Sequence, residues 1–283
     1  MPAAKPKPKL GPEAMVRAMY RKLARAWGPQ HWWPAETAFE VIVGAILGQN
    51  TSWTNVERAL GSLRAANALS PSAIRDLPIA ELEQLVRSSG YYRQKAQRLK
   101  TFVGFLDENY GGSLAEMFAA PTTEVRQQLL SLKGIGHETA DAILLYAGNH
   151  EIFVVDAYAR RILERHAAIG HSASYEDIRT LMERALRTQA LATPLFAGSL
   201  PSKLRVHQPS VMSAADRTAT SQVYNEMHGL FVQVGKLYCH KRETHCEQCP
   251  LRSLLPKGAR ALPSSKSLQE NLRSSVVVRK SKR

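Results

Sequence analysis

From Met15 to Tyr146 the apolar residues of this chain return every three or four positions and almost never every second one, which commits it to helices packed on helices. Met15, Val16, Met19, Leu23 and Trp27 form one such stripe behind Pro12, whose fixed φ suits a first helical turn. Phe39, Ile42, Val43 and Ile46 mark a second helix, and Trp53, Val56, Leu60 and Leu63 a third. Ser70-Pro71 reads as an N-cap and first position of a short helix through Leu77. Leu82, Leu85 and Val86 form another stripe, stopped by Ser89-Gly90, and a helix over residues 93–108 ends before Gly111-Gly112. Thr122 or Thr123 is expected to cap a helix to Leu130, and a further helix restarts after Gly136 and reaches Tyr146. Only residues 152–155 look strand-like, and four residues cannot build a sheet. From Thr193 to Gln222 no period is sustained, so this stretch reads as a long excursion between helices. The fold class is therefore all-α.

Charge and composition narrow the setting more than the activity. The net charge is +14, but Lys5, Lys7 and Lys9 supply +3, and residues 257–283 supply eight basic residues against Glu270, or +7. The tails thus carry +10, attract any polyanion without sequence preference, and leave about +4 for the body. No apolar run is long enough to span a membrane, and MPAAKPKPKL has no apolar stretch resembling a signal peptide. A cytoplasmic, nucleoid-associated protein with no membrane partner, monomeric, is expected. Cys239, Cys246 and Cys249 crowd into eleven residues, which points to a metal site or its remnant rather than a secreted disulfide framework.

The most informative segment is LLSLKGIGHETADAILLYA, residues 129–147. Gly134 and Gly136, between two apolar helical patterns, make a hairpin tight enough for its backbone to approach another molecule. The following helix offers free N–H groups and the positive end of its dipole, a site suited to a DNA phosphate. About twenty residues on, Asp156 follows the apolar run Val154-Val155. The pattern LxGxGxxTA followed by VVDxYxxR resembles the helix-hairpin-helix, Gly/Pro-rich loop and catalytic aspartate of the endonuclease III superfamily of DNA glycosylases. The matching residues are Leu132, Gly134, Gly136, Thr139, Ala140 and Asp156.

That resemblance implies a bilobal fold, double-stranded DNA holding a damaged base as partner, and Asp156 as the carboxylate that stabilises the cationic sugar or orients water. Lys133, Gly134, Ile135, Gly136, His137 and Thr139 would meet the DNA backbone. Superfamily members that also cut the strand carry a lysine two residues past the second hairpin glycine, where this chain has Glu138, and a carboxylate cannot form the imine. A monofunctional enzyme is expected. Gln49 matches the residue that fills the hole left by the everted base. Trp32-Trp33-Pro34, the Gln49-Asn50-Thr51 run, residues 89–96 and GIGHETADAIL look most like the 3-methyladenine branch. Trp32, Trp33 and Trp53 are pocket candidates, because stacking between aromatic faces attracts a cationic alkylated purine.

KLYCHKRETHCEQCPLRSLLP, residues 236–256, resembles the superfamily's iron–sulfur loop with spacing C-x6-C-x2-C-x5-C, and Leu255 stands at the fourth place. The resemblance implies a 4Fe-4S cluster, but leucine offers no lone pair. Three readings stay open: a cluster on three cysteines, a lost or labile cluster with the loop kept by packing, or another metal on His240 or His245. The second is preferred. The implied organisation is a basic tail at 1–11, a helical barrel at 30–145, a second lobe from 12–29 plus 146–256 with a degenerate iron–sulfur loop, and a basic tail at 257–283. An oxidised-pyrimidine or mismatch glycosylase with lyase activity, and a non-catalytic DNA-binding module, are the alternatives.

Overall fold

The computed structural model describes residues 10–187 and 208–256, and their regular elements are all helical. They are α1 (Pro12–Trp27), α2 (Ala38–Leu47), α3 (Trp53–Ala65), α4 (Pro71–Asp76), α5 (Ile79–Leu85), α6 (Tyr92–Tyr110), α7 (Leu114–Ala119), α8 (Thr122–Ser131), α9 (His137–Ala142), α10 (Ala157–Arg165), α11 (Tyr175–Leu186) and α12 (Ala219–Leu237). None is long and apolar enough to cross a membrane. They fall into two compact units. The hairpin unit holds residues 31–154 and 208–226, and the terminal unit holds 10–30, 155–187 and 227–256.

The hairpin unit is built around α2. Its sequence AFEVIVGAIL is apolar on every side, and residues 39–47 are all buried, as a helix without a polar face must be. Helices α3, α6 and α9 pack against it. Thr37 caps its start by accepting the Glu40 N–H at 3.1 Å, and the buried Glu40 carboxylate accepts from the Glu36 N–H at 3.0 Å and from the Arg64 guanidinium. At the other end Lys95 lies buried, donating to the carbonyls of Leu47 at 2.9 Å and Ser89 at 2.6 Å. Burial, aided by Arg98, pulls this amine down to about 8. Its carbonyl partner Leu47 ends α2, where the helix dipole favours a cation.

Helix α8 is tied to α9 by a bidentate pair. Arg126 Nε and Nη2 donate to the Asp141 carboxylate at 2.6 and 3.1 Å, and Asp141 is wholly buried. Removing one partner of such a pair strands the other charge away from water. Arg126→Ala, which takes the guanidinium away from the wholly buried Asp141 carboxylate, is therefore expected to cost about 3–5 kcal/mol of stability by denaturant titration. A loss under about 1 kcal/mol, the scale of a solvent-screened pair, would contradict this assignment.

In the terminal unit α1 packs along α11, with Arg184 Nη2 on Glu13 Oε1 at 2.5 Å. A capping box between Ser174 and Asp177 starts α11. Trp27, at the end of α1, stacks on Tyr238 with ring centroids 6.1 Å apart.

Several local expectations are corrected. Pro121, not a threonine, holds the N-cap position of α8. The helix after Gly136 stays α-helical only to Ala142 and widens to a π-helical turn over Ile143–Ala147. Residues 152–155 are buried without joining a strand, because no second segment pairs with them among the described residues. The stretch read as an excursion already enters α12 at Ala219, where Thr218 Oγ1 accepts the Ser221 N–H at 3.1 Å. Residues 193–207 of that stretch lie outside the described residues.

Candidate active site and nucleic-acid interface

The hairpin joins α8 to α9 through Leu132, Lys133, Gly134, Ile135 and Gly136. Ile135 is its buried anchor, whereas Lys133, Gly134, Gly136, His137 and Glu138 are exposed. Its two glycines have different reasons to be there. Gly134 has φ +91°, which demands glycine, and a Cβ on it would sit 2.2 Å from Nε of the flexible Arg98 side chain, which would have to shift. Gly136 has an ordinary φ of −100°, and a Cβ there would meet nothing within 4 Å. Nothing within the described protein requires that glycine. Its bare backbone is an open approach for an external chain.

Gln49, just past α2, is bound to this hairpin. Its Nε2 donates to the Gly134 carbonyl at 3.0 Å and to Thr139 Oγ1 at 2.8 Å, and its Oε1 accepts from the Arg98 guanidinium. Sequence reasoning linked Gln49 and Thr139 to DNA separately, and the structure brings them together. It missed Arg98, which lies 49 positions from Gln49 and gives no local signal.

The three tryptophans also meet. Ring centroids are 5.5 Å apart for Trp32 and Trp33, 5.9 Å for Trp32 and Trp53, and 5.0 Å for Trp33 and Trp53, and Tyr146 joins Trp33 at 5.2 Å. The three rings pack on one another in tilted and edge-on contacts. Trp33 lies over Gly44 of α2, where a Cβ would come within 3.2 Å of Cζ2. The indole N–H groups of Trp33 and Trp53 are buried without a protein partner. The end of the long excursion docks here: Ser210 Oγ bonds the Ala35 N–H at 3.2 Å and the Trp33 carbonyl at 3.3 Å, and the Met212 N–H bonds the Ala35 carbonyl at 3.0 Å.

In the terminal unit Asp156 is the N-cap of α10, with Oδ1 accepting the Ala159 N–H at 2.6 Å. Its Oδ2 lies 3.7 Å from Nε2 of His228 on α12, and 11% of the aspartate side chain is exposed. Burial holds His228 below the ordinary histidine range, against the pull of Asp156. His228 escaped the sequence reading because nothing marks it out from the apolar stripe of its helix. The other residues of VVDxYxxR brace α10. Tyr158 packs so closely on Gly235 that a Cβ there would lie 2.0 Å from its ring, and Arg161 Nε donates to the Cys239 carbonyl at 2.7 Å.

Cys239, Cys246 and Cys249 line one cavity of about 20 Å³ with Arg165, Arg252 and Leu255. Arg165 Nη1 reaches Cys239 Sγ at 3.0 Å, and burial pushes the Cys249 thiol up to about 11. This is room for roughly one water, a hydrocarbon fills the fourth corner, and a guanidinium occupies one thiol. The residues do not fit a four-thiolate cluster.

Residues 43–188 match the HhH-GPD superfamily of base excision DNA repair proteins. A Methanocaldococcus jannaschii protein named as a DNA repair glycosylase is 38% identical over 240 residues, 84% of this chain and 94% of its own. The H. pylori 3-methyladenine DNA glycosylase MagIII, solved with 1,N6-ethenoadenine, superposes with TM-score 0.62 at 27% identity, over 80% of this chain and 98% of that one. A trapped endonuclease III–DNA intermediate shares the fold, with TM-score 0.64 at 19% identity over 87% and 96% of the two chains. The chain belongs to the HhH-GPD superfamily and is a base excision repair DNA glycosylase of the endonuclease III superfamily.

Proposed function

We propose that the protein hydrolyses the N-glycosidic bond of an alkylated purine in double-stranded DNA and leaves the strand uncut. The observation that carries this reading is Asp156 itself: one oxygen is fixed by the first turn of α10, and the other lies 3.7 Å from His228 Nε2 in a partly exposed setting. A carboxylate held so needs little reorganisation as positive charge develops on the sugar. In this reading Lys133, Gly134, Gly136 and His137 engage backbone phosphates, Gln49 and Thr139 stand at the base gap, and an outer face of the tryptophan group stacks on the everted base. The tryptophans and the likeness to a 3-methyladenine glycosylase favour an alkylated purine, whose charge weakens its own bond and is drawn to an indole face. Glu138, exposed on the first turn of α9 in the lysine's place, supports hydrolysis without lyase chemistry. The cysteine loop is read as held by packing, with its cluster absent or labile.

An oxidised-pyrimidine or mismatch substrate is the second reading, supported by the endonuclease III relatives. One incubation with a panel of duplexes, each carrying a single lesion, tests the choice. The alkylated purine should be released at least tenfold faster than oxidised pyrimidines or mismatched bases, and borohydride should trap no covalent complex. Preferential release of an oxidised pyrimidine with efficient trapping would replace this reading by the second, and release of nothing from any duplex would favour a non-catalytic DNA-binding module.

A further inference from the structure

We infer that the loop between Cys239 and Cys246 carries a divalent transition-metal site of its own, formed by His240, Glu243 and His245 and built for zinc. One ligand atom from each of these three half-buried residues lies within 4.8 Å of the others. The two imidazole rings meet edge to face at 5.4 Å, and His245 Nε2 stands 3.7 Å from Glu243 Oε1. Two imidazoles and a carboxylate are a donor set for zinc and its first-row neighbours, with no appeal to calcium or magnesium, which take oxygen alone.

The loop is shaped before any ion arrives. Cys239 and Thr244 form an antiparallel bridge, and the His245 N–H donates to the Tyr238 carbonyl at 2.8 Å. From α10, Arg161 holds the Cys239 carbonyl at 2.7 Å and Arg165 the Lys241 carbonyl at 3.4 Å. Thr244 is buried between the two flanking ligands. In a tetrahedral zinc site neighbouring ligand atoms stand about 3.3 Å apart. Closing from 4.8 Å to that spacing is a matter of side-chain rotation on a backbone already in place. The exposed Lys241 and Arg242 lie between the ligands in sequence and oppose a cation, so the affinity is set against their charge.

This site is separate from the thiol cavity, whose lining contains none of the three residues. It gives the loop a cross-link that the missing fourth thiol cannot, and it does not depend on which base the enzyme removes.

The test is to strip the full-length protein with chelator and titrate it with zinc chloride, and separately with cobalt chloride, following heat and absorbance. One ion per chain is expected, and the cobalt complex should lack thiolate-to-cobalt charge-transfer absorption. His240→Ala with His245→Ala should weaken binding at least tenfold, while Cys239→Ser with Cys246→Ser and Cys249→Ser should leave it unchanged. A thiolate band in the wild-type cobalt complex, binding that survives the double histidine change, or no binding would each overturn the inference. The wild-type cobalt spectrum decides the ligand type even if the serine variant does not fold.

Discussion

Asp156→Asn should bind a damaged duplex as tightly as the wild type and release its base about 10²–10⁴ times more slowly. The substitution is chosen for what it keeps. Asparagine caps a helix about as well as aspartate, so the bond from the Ala159 N–H survives and α10 keeps its start. What disappears is the negative charge that the proposed mechanism sets against the sugar. Asp156→Ala removes charge and cap together, so it should lose about 1 kcal/mol of stability besides activity. Single-turnover kinetics with saturating enzyme separates chemistry from binding. Turnover of the asparagine variant within a few-fold of wild type would leave Asp156 as a helix cap and nothing more.

Gly134→Ala should be nearly as damaging, by a different route. The φ of +91° is strained for any residue with a Cβ, a cost of about 1–3 kcal/mol. The new methyl also meets the Arg98 side chain at 2.2 Å, so Arg98, which bonds Gln49, must shift. The expected result is at least tenfold weaker binding to damaged and undamaged duplexes alike, since a hairpin that grips phosphates reads no sequence. Adding Arg98→Ala removes the clash and leaves the backbone strain, so partial recovery in the double variant separates the two effects. Undiminished binding by Gly134→Ala would take the hairpin out of the DNA interface. Gly136→Ala, with no contact inside the described protein, should fold as well as wild type and lose binding only to DNA.

Helices were legible in this sequence because their information is local. The stripe on α1 and the cap at Ser70 depend on neighbours three or four residues away, and the structure has both. The hairpin and Asp156 were legible through a family pattern, which names residues without saying what they touch. What escaped was long-range. Ser210 bonds a backbone group 175 positions away, and Arg165 reaches a cysteine 74 positions away; no periodicity encodes either. His228 hides in an apolar helix for the same reason. The tryptophans show a further limit: their clustering could be expected, but whether three rings leave a slot or close on one another is decided by packing. Here Gly44 lets Trp33 sink onto α2.

The grip of the hairpin on Gln49 bears on how such an enzyme searches. A side chain that is to enter the duplex must first abandon Gly134, Thr139 and Arg98, each bond worth about 1 kcal/mol net. In the role proposed for Gln49, intact base pairs would offer nothing in exchange, so on sound DNA the glutamine would keep its place on the hairpin. An orphaned base opposite a lesion would supply the missing partners, and in this proposed role the moment of commitment would be set by the DNA that is broken.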